Sequence, residues 1–310
     1  AQVWIDQTRD MLLSGYVEDL DLVTTPPSPA TTGTTLVIQG ISSSIVKGVV
    51  IEVNSELMYV ISVTSTTVSV MRGYGGSTPG THTAGDVVRV SPKFPAHRII
   101  QSINDDLADL SAPSQGLFQM KTTSFTYNAS VDGYDLSGLT SAEIDSIYSV
   151  TYADAGSAAS EPEVSSWRLR RNRDTSSFSS GLALILYSGV WPGQTVTVSY
   201  KAPFTSITNA ATARSATGLP ATAYDLPPLG AAMALMTTTP IRREFLDAQG
   251  TSRMADEVPP GAISASFRDL MGRRRARVEA ESGRLVSQYP QVWTRSSGMR
   301  PSNQWSGYSS

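Results

Sequence analysis

The sequence predicts an α+β chain in which helical segments surround two regions of short strands. Apolar residues alternate with polar ones in residues 31–92 and 117–203, and they recur every three to four positions in residues 93–116 and 204–290. Only 16% of residues are charged, below the ~25% usual for a soluble domain, and Ser, Thr and Ala fill the difference. We therefore expect a small β-barrel, a β-sandwich-like region and a helical portion, and no coiled coil.

The N-terminal segment, residues 1–30, is predicted to hold one short helix and a proline-rich joint. Trp4, Ile5, Met11 and Leu12 supply the apolar residues of a helix over residues 3–14. Three prolines within residues 24–29 exclude a helix there, so this stretch is interpreted as a semi-rigid extended linker.

Residues 31–92 are typical of a small closed or half-closed barrel. Five short runs with period two are predicted as strands, at residues 34–39, 49–53, 57–63, 66–72 and 86–90. The glycine-rich loop at residues 72–82 lacks the Lys of a phosphate-binding loop and precedes a strand, so we interpret it as a plain β loop. His82 in this loop is expected to be a structural or surface residue.

Residues 93–116 are predicted to form a helix that ends near Leu110. Its apolar residues lie on one face. Asp105, Asp106 and Asp109 lie mostly on the other face, and a calcium site would need a tight glycine-containing loop that is missing there. A solvated helix face is therefore the expectation for these three carboxylates.

The remaining two thirds of the chain divide into a β region, a helical region and a tail. Five strands are predicted in residues 117–203, at residues 117–127, 145–153, 164–172, 182–187 and 195–201. In residues 204–290, one helix is predicted over 226–246 with a break at Pro240, and a second from Pro259 to Gln288. Residues 291–310 are predicted to be an extended C-terminal tail.

The composition argues against most catalytic classes. There are no cysteines and only two histidines, and no nucleophile, base and orienting group are found together. We therefore expect neither an enzyme nor a cofactor or metal site. No apolar run approaches the ~18 residues of a membrane span, and the net charge of −3 argues against a globally basic nucleic-acid binder.

Two segments are predicted to bind partners. The first is the long helix, which we expect to pack between subunits through seven residues: Ile263, Phe267, Leu270, Arg273, Arg274, Arg275 and Arg277. Its arginines are expected to pair with acids of a neighbouring subunit, with DNA contact as the alternative.

The second segment is the tail, whose aromatic residues are unusual in a polar, flexible sequence. The predicted partner-binding residues of the tail are Trp293, Arg295, Arg300, Trp305 and Tyr308. The alternative is a tail that folds back on its own chain.

The order of these parts resembles a known family. The motifs that carry the resemblance are at residues 8–15, 71–78, 82–88, 94–107, 256–261 and 288–290, including Arg-Gly-Tyr-Gly-Gly-Ser-Thr followed by His and Ala-Gly. This arrangement resembles the head-to-tail adaptor, or connector, proteins of long-tailed bacteriophages, especially those of actinobacteria. The two β modules depart from the smallest adaptors, which are nearly all helix.

The resemblance implies a structural virion protein that forms a ring below the portal. Its helical parts would dock on the portal, and its partners would be the portal protein, the next neck or tail protein and further copies in a ring, with twelve as the expected number. DNA would pass through the lumen in non-specific proximity, no membrane would be involved, and the protein would be assembled in the bacterial cytoplasm and end in the virion neck. The alternatives are another virion component, such as a tail-completion, tail or capsid-decorating protein, or a β-domain protein that binds a host or a glycan.

Overall fold

A computed structural model describes most of the chain. The described residues are 1–13, 18–41, 43–131, 133–136, 138–140, 143–153, 161–187, 190, 192–238 and 262–290. Within them lie four α-helices: α1 (Gln2–Leu13), α2 (Ala96–Leu110), α3 (Leu226–Thr238) and α4 (Ala262–Gln288). None of these helices is both long enough and apolar enough to span a bilayer. The predicted helix over residues 226–246 is thus described as far as Thr238, and Pro240 lies outside the described residues.

The described strands form a barrel and two small sheets. The barrel contains β1 (Leu20–Thr25), β2 (Thr35–Ile38), β3 (Val50–Val53), β4 (Glu56–Thr64), β5 (Thr67–Met71) and β6 (Val87–Val90). The sheets contain β7 (Gln119–Thr126), β8 (Tyr134–Asp135), β9 (Ser146–Tyr152), β10 (Trp167–Arg170), β11 (Ala183–Leu186) and β12 (Thr195–Ala202). The α+β class with a small barrel is therefore confirmed.

The barrel is closed by a strand that the sequence analysis did not predict. Its strand order is β1-β2-β5-β4-β3-β6, and β1 pairs with both β2 and β6 in antiparallel register. In β1 only Val23 points into the barrel, whereas Leu20 and Leu22 are exposed. The exposed side of β1 is therefore its more apolar side, which is the reverse of the usual pattern. This reversal and the prolines that follow explain why the sequence pattern predicts a linker here instead of a strand.

The barrel interior is built from apolar side chains. Alternate residues of the six strands point inward, and most are fully buried: Val23, Leu36, Ile38, Ile51, Val53, Met58, Val60, Val68, Val70, Val88 and Val90. Burying one such side chain contributes about 1.5–3 kcal/mol. The loop between β5 and β6 begins at Gly73, whose φ of 65° lies in the left-handed region that glycine adopts without strain.

The helices form a second core. On α2 the apolar residues Ile99, Ile103, Leu107 and Leu110 recur at helical spacing and are buried against α1 and α3. Pro95 precedes the helix in an extended conformation, and Ala96 starts it. Helix α3 is apolar on every side, which is typical of a helix surrounded by protein.

The two small sheets share the third core. One has the order β7-β12-β9 and the other β10-β11-β8, and buried residues from both enter a single apolar cluster that includes Leu184 and Val198. The strict alternation in β12 matches one buried and one more exposed face. All five predicted strands of this region are present, and the two-residue β8 is added to them. The sandwich-like prediction therefore agrees with two sheets on one core.

Candidate interaction surface of the long helix

Helix α4 lies on the helical core by one face. Val278 and Leu285 are buried in the same cluster as α1, α2 and α3, and Glu281 is also buried. The 27 residues of α4 include six Arg and four Ala, which are good helix formers. At its C-terminal end, Tyr289 contacts the ring of Phe118 and the ring of Tyr148, which joins α4 to the sandwich.

Arg274 attaches α4 to α2. Its Nε and Nη2 atoms donate to Asp106 Oδ1 at 3.0 and 2.7 Å, and Nη2 also donates to Asp109 Oδ2 at 2.6 Å. Asp106 is only 7% exposed. The expectation of a solvated face is therefore wrong for Asp106, because its helical spacing from Ile103 and Leu110 places it on the buried side of α2, where Arg274 of α4 covers it.

Burial leaves Asp106 poorly solvated. Its Oδ2 atom has no hydrogen-bond partner among the described residues, and Gly230 of α3 lies directly against the carboxylate, where a Cβ would come within 1.7 Å of Oδ1. Burial raises the pKa of Asp106 to about 7, although Arg274 acts in the opposite direction. The junction of α2, α3 and α4 therefore contains an ion pair in which burial disfavours the ionised form of Asp106.

A second ionic group holds the middle of α4. Arg277 Nε donates to Asp225 Oδ2 at 2.7 Å, and its Nη2 donates to the carbonyl of Thr222 at 2.6 Å. Glu281 accepts from the Thr222 hydroxyl at 2.9 Å and from Arg284 Nε at 2.8 Å. Burial opposes the ionisation of Glu281, but the hydrogen bonds from Arg284 and Thr222 outweigh it and lower its pKa.

The other described residues leave part of the surface of α4 uncovered. Met271 and Val286 are 50% and 61% exposed, and the side chains of Arg273 and Arg275 are even more exposed. Among the described residues, each of these arginines pairs with one acid, which lies one turn away on the same helix, at 2.8 and 3.0 Å. Such exposed pairs contribute ~0.3–0.5 kcal/mol, so they can exchange partners at little cost.

A groove runs beside the exposed residues Met271 and Arg275. It has a volume of about 540 Å³ and lies between α4, α3 and the turn that follows α2. Its lining mixes apolar and polar side chains: Ser114, Gln115, Met233, Met271, Arg274, Arg275, Val278, Glu279 and Ser282. At ~100° per residue, Met271, Arg275 and Val286 lie within about 60° of one another around the helix axis, whereas Arg273 lies on another side. We call these four exposed residues together with the groove the outer face of α4, meaning the part of its surface that the other described residues leave uncovered.

The seven residues predicted for this helix divide into four groups. Arg274 and Arg277 pair with acids of their own chain, so their pairing needs no neighbouring subunit. Arg273 and Arg275 are exposed, and Phe267 and Leu270 are half-buried. The side chain of Ile263 and the tail residues Trp293, Arg295, Arg300, Trp305 and Tyr308 lie outside what the structure describes.

A charged cluster in the barrel was not predicted from the sequence. Arg72 Nε and Nη2 each lie 2.6 Å from an oxygen of Glu56, and His82 Nε2 donates to Glu56 Oε2 at 2.8 Å. The amides of Gly73 and Gly80 donate to the same carboxylate at 3.1 and 2.9 Å. Glu56 lies on β4 and its partners lie in the loop between β5 and β6, so no short motif reveals the set.

The cluster fixes the loop between β5 and β6. Five N–H groups converge on Glu56, and a carboxylate offers about four lone-pair sites, so none is left for a ligand. His82 is buried, and its Nδ1 lies 3.4 Å from the amide nitrogen of Asn54 and 3.8 Å from a carboxylate oxygen of Asp86. This placement agrees with a structural histidine. His97, at the start of α2, is half-buried.

No group of three or more His, Asp or Glu residues is arranged for a metal ion in the part of the chain that the structure describes. A comparison with protein-family models finds no match, and a comparison with curated proteins finds none either.

Proposed function

We propose that this chain is a structural virion protein that forms a head-to-tail adaptor ring below the portal of a long-tailed bacteriophage. The ring would join the capsid to the tail and let DNA pass. The motifs at residues 8–15, 71–78 and 82–88 support the family resemblance. The observation that carries the proposal is the outer face of α4.

A helix of 27 residues is about 40 Å long, which is enough to reach across a subunit boundary. One face of α4 is packed on its own chain, whereas Met271, Val286, Arg273 and Arg275 face solvent. Methionine and arginine are enriched in protein–protein interfaces, where an apolar core is surrounded by a polar rim. The outer face of α4 therefore has the composition of a contact surface for a neighbouring copy.

In this proposal the helical portion docks on the portal and the β modules face away from it. The partners are the portal protein, the next neck or tail protein and further copies in a ring, expected to be dodecameric. DNA passes the lumen in non-specific proximity, and no cofactor is needed. The ring is assembled in the bacterial cytoplasm and remains in the neck of the virion.

Electron microscopy of the purified chain, alone and with the portal protein of the same virus, tests the proposal. We expect rings that match the portal. Reversing two charges with Arg273→Glu and Arg275→Glu should disrupt them, whereas Lys47→Glu with Lys121→Glu, two exposed sites on the barrel and the sandwich, is the matched control. Monomers at every concentration without portal binding, or rings that survive the α4 charge reversal, would contradict the assigned surface.

The C-terminal tail is proposed to anchor the ring to a neighbour. Trp293, Trp305 and Tyr308 would enter a partner's groove, and Arg295 and Arg300 would meet its acids. A variant that ends at Pro290 should fold and form rings but fail to join heads to tails in a complementation assay. Fully infectious particles from the shortened protein would show that the tail is dispensable.

A further inference from the structure

The outer strand of one sandwich sheet carries a basic face. Strand β10 has the sequence Trp-Arg-Leu-Arg and lies at the edge of the sheet β10-β11-β8. Trp167 and Leu169 pack against the sandwich core, so Arg168 and Arg170 point to the opposite side. Both arginines are exposed, about 6.6 Å apart along the strand because each residue rises ~3.3 Å.

These two arginines differ from those of α4 in having no partner. Among the described residues, neither Arg168 nor Arg170 has an ion pair or a side-chain hydrogen bond, whereas Arg273 and Arg275 each pair with an acid. An unpaired, fully hydrated guanidinium is available to an incoming anion without the loss of an existing contact. The charge on this face is therefore available for binding.

The neighbouring residues favour a nucleic acid over an acidic protein. Tyr187 is 59% exposed, and its backbone amide donates to the carbonyl of Ser166, which continues the pairing of β11 with β10. Because Ile185 pairs with Arg168 two residues earlier, Tyr187 lies on the same face as Arg168. Exposed Ser166 and Asn172 flank the two arginines. Phosphates of DNA are contacted mainly by Arg together with Ser, Asn and Tyr, the residue types present here.

We propose that Arg168, Arg170 and Tyr187, the arginine face of β10, bind the sugar-phosphate backbone of duplex DNA without reading its sequence. The inference rests on the proposed function only for naming duplex DNA as the polyanion. It assigns DNA contact to the sandwich and not to the arginine run of α4, whose members pair with acids. Two such contacts per subunit are weak individually and become effective when several copies meet the same duplex.

The salt dependence of DNA binding tests this assignment. A short fluorescein-labelled duplex of mixed sequence is titrated with the full chain, and fluorescence anisotropy is measured between about 50 and 200 mM salt. Arg168→Ala with Arg170→Ala should reduce the magnitude of the log–log salt slope by about 1.8, because each phosphate contact contributes ~0.9. Equivalently, the ratio of the affinity of the unmodified protein to that of the variant should fall by about twelvefold as the salt concentration rises from about 50 to 200 mM.

Matched variants separate local contact from overall charge. Lys47→Ala with Lys121→Ala removes two exposed cations elsewhere and should leave the slope unchanged, while Arg168→Lys with Arg170→Lys should retain it. The inference would be overturned if Arg168→Ala with Arg170→Ala and Lys47→Ala with Lys121→Ala reduced the salt slope equally. It would also be overturned if the unmodified chain bound no DNA. Competition by polyglutamate as strong as by unlabelled DNA would overturn it too, since it would indicate an acidic protein partner.

Arginines on an edge strand can also prevent two edges from pairing. If the unmodified chain binds no DNA and the Arg168→Ala, Arg170→Ala variant self-associates in sedimentation, the two arginines prevent edge pairing. That result would reject the DNA-binding surface. Ring formation and portal docking use other surfaces, so an unmodified chain that forms rings but binds no DNA rejects this inference alone. DNA binding that persists without rings rejects the proposed function alone.

Discussion

Glu56 and Asp106 are both buried carboxylates, yet their surroundings shift their pKa values in opposite directions. Burial opposes the ionisation of Glu56, but hydrogen bonds from Arg72, His82 and the loop amides outweigh it and lower its pKa to about 2. Among the described residues, Asp106 accepts hydrogen bonds from Arg274 alone, so burial dominates and its pKa rises to about 7. The number of N–H donors around each carboxylate decides which effect wins.

Replacing Glu56 with Gln should lower the free energy of unfolding by about 3–5 kcal/mol near neutral pH, because buried Arg72 loses its counter-charge. The folded pKa of about 2 lies below the ordinary value of 4.5, so this stability is present above pH 4.5 and is lost as the pH falls through 2. Urea unfolding followed by far-ultraviolet circular dichroism should show the gap between variant and unmodified protein closing over that window. A gap independent of pH would contradict the role of Glu56.

Asp106 should give the opposite pH dependence. Its folded pKa of about 7 exceeds the ordinary 3.8, so the favourable contribution is full below pH 3.8 and is lost as the pH rises through 7. The unmodified protein should lose about 2–3 kcal/mol from this group between about pH 5 and 8, and Asp106→Asn should remove that slope. Asp105→Asn, at an exposed site on the same helix, is the control. A slope that survives Asp106→Asn would contradict the assignment.

These two carboxylates also show which residues the sequence could not predict. Glu56 and Arg72 are 16 positions apart, and Asp106 and Arg274 are 168 positions apart. Periodicity reports which face of an element is apolar, but it does not report which other element covers the opposite face. The acids of α2 were therefore expected in solvent, although one of them lies beneath α4.

At the scale of elements, the packing of α3 on α2 depends on a glycine. A Cβ at Gly230 would lie 1.7 Å from Asp106 Oδ1, which is itself held by Arg274, so Gly230→Ala should destabilise the chain despite the better helix propensity of alanine. A Cβ at Gly272 of α4 would have no described neighbouring atom within 4 Å. Gly272→Ala should therefore raise the free energy of unfolding by about 1 kcal/mol. Thermal unfolding of the pair checks both signs. Stabilisation by both substitutions would show that the α2–α3 contact is looser than described.

The elements themselves were largely predictable, and the exceptions have physical reasons. Helices α1 and α2 and the five strands of the sandwich follow their apolar periodicity, because one face of each packs on a core. Strand β1 was missed since Leu20 and Leu22 point to solvent and only Val23 points inward. Strand β8 is two residues long, too short to carry a period.

At the scale of the whole molecule, three apolar cores are joined through polar contacts. Arg9 of α1 binds Glu52 of β3 and also donates to the carbonyl of Phe94 at 3.3 Å, and the amide of Ala96 donates to Glu52 at 2.7 Å. These contacts link the barrel to the helices. On the other side, the hydroxyl of Ser111 accepts from the amide of Phe204 at 2.9 Å, which links the helices to the chain leaving the sandwich. Together with the ring contacts of Tyr289 with Phe118 and Tyr148, these buried polar groups hold the cores in position.

Arg9→Ala should uncouple the barrel from the helical core. Burial already raises the pKa of Glu52, and without Arg9 its charge would be left unpaired, at a cost of about 3–5 kcal/mol. We expect scanning calorimetry at neutral pH to show two separate transitions in place of one cooperative unfolding. The defect should diminish as the pH falls, because protonation of Glu52 removes the unpaired charge. Arg275→Ala, which breaks only an exposed pair on α4, is the control and should cost ~0.3–0.5 kcal/mol. A single transition at an unchanged temperature in Arg9→Ala would mean that the barrel and helices are joined by contacts other than this ion pair.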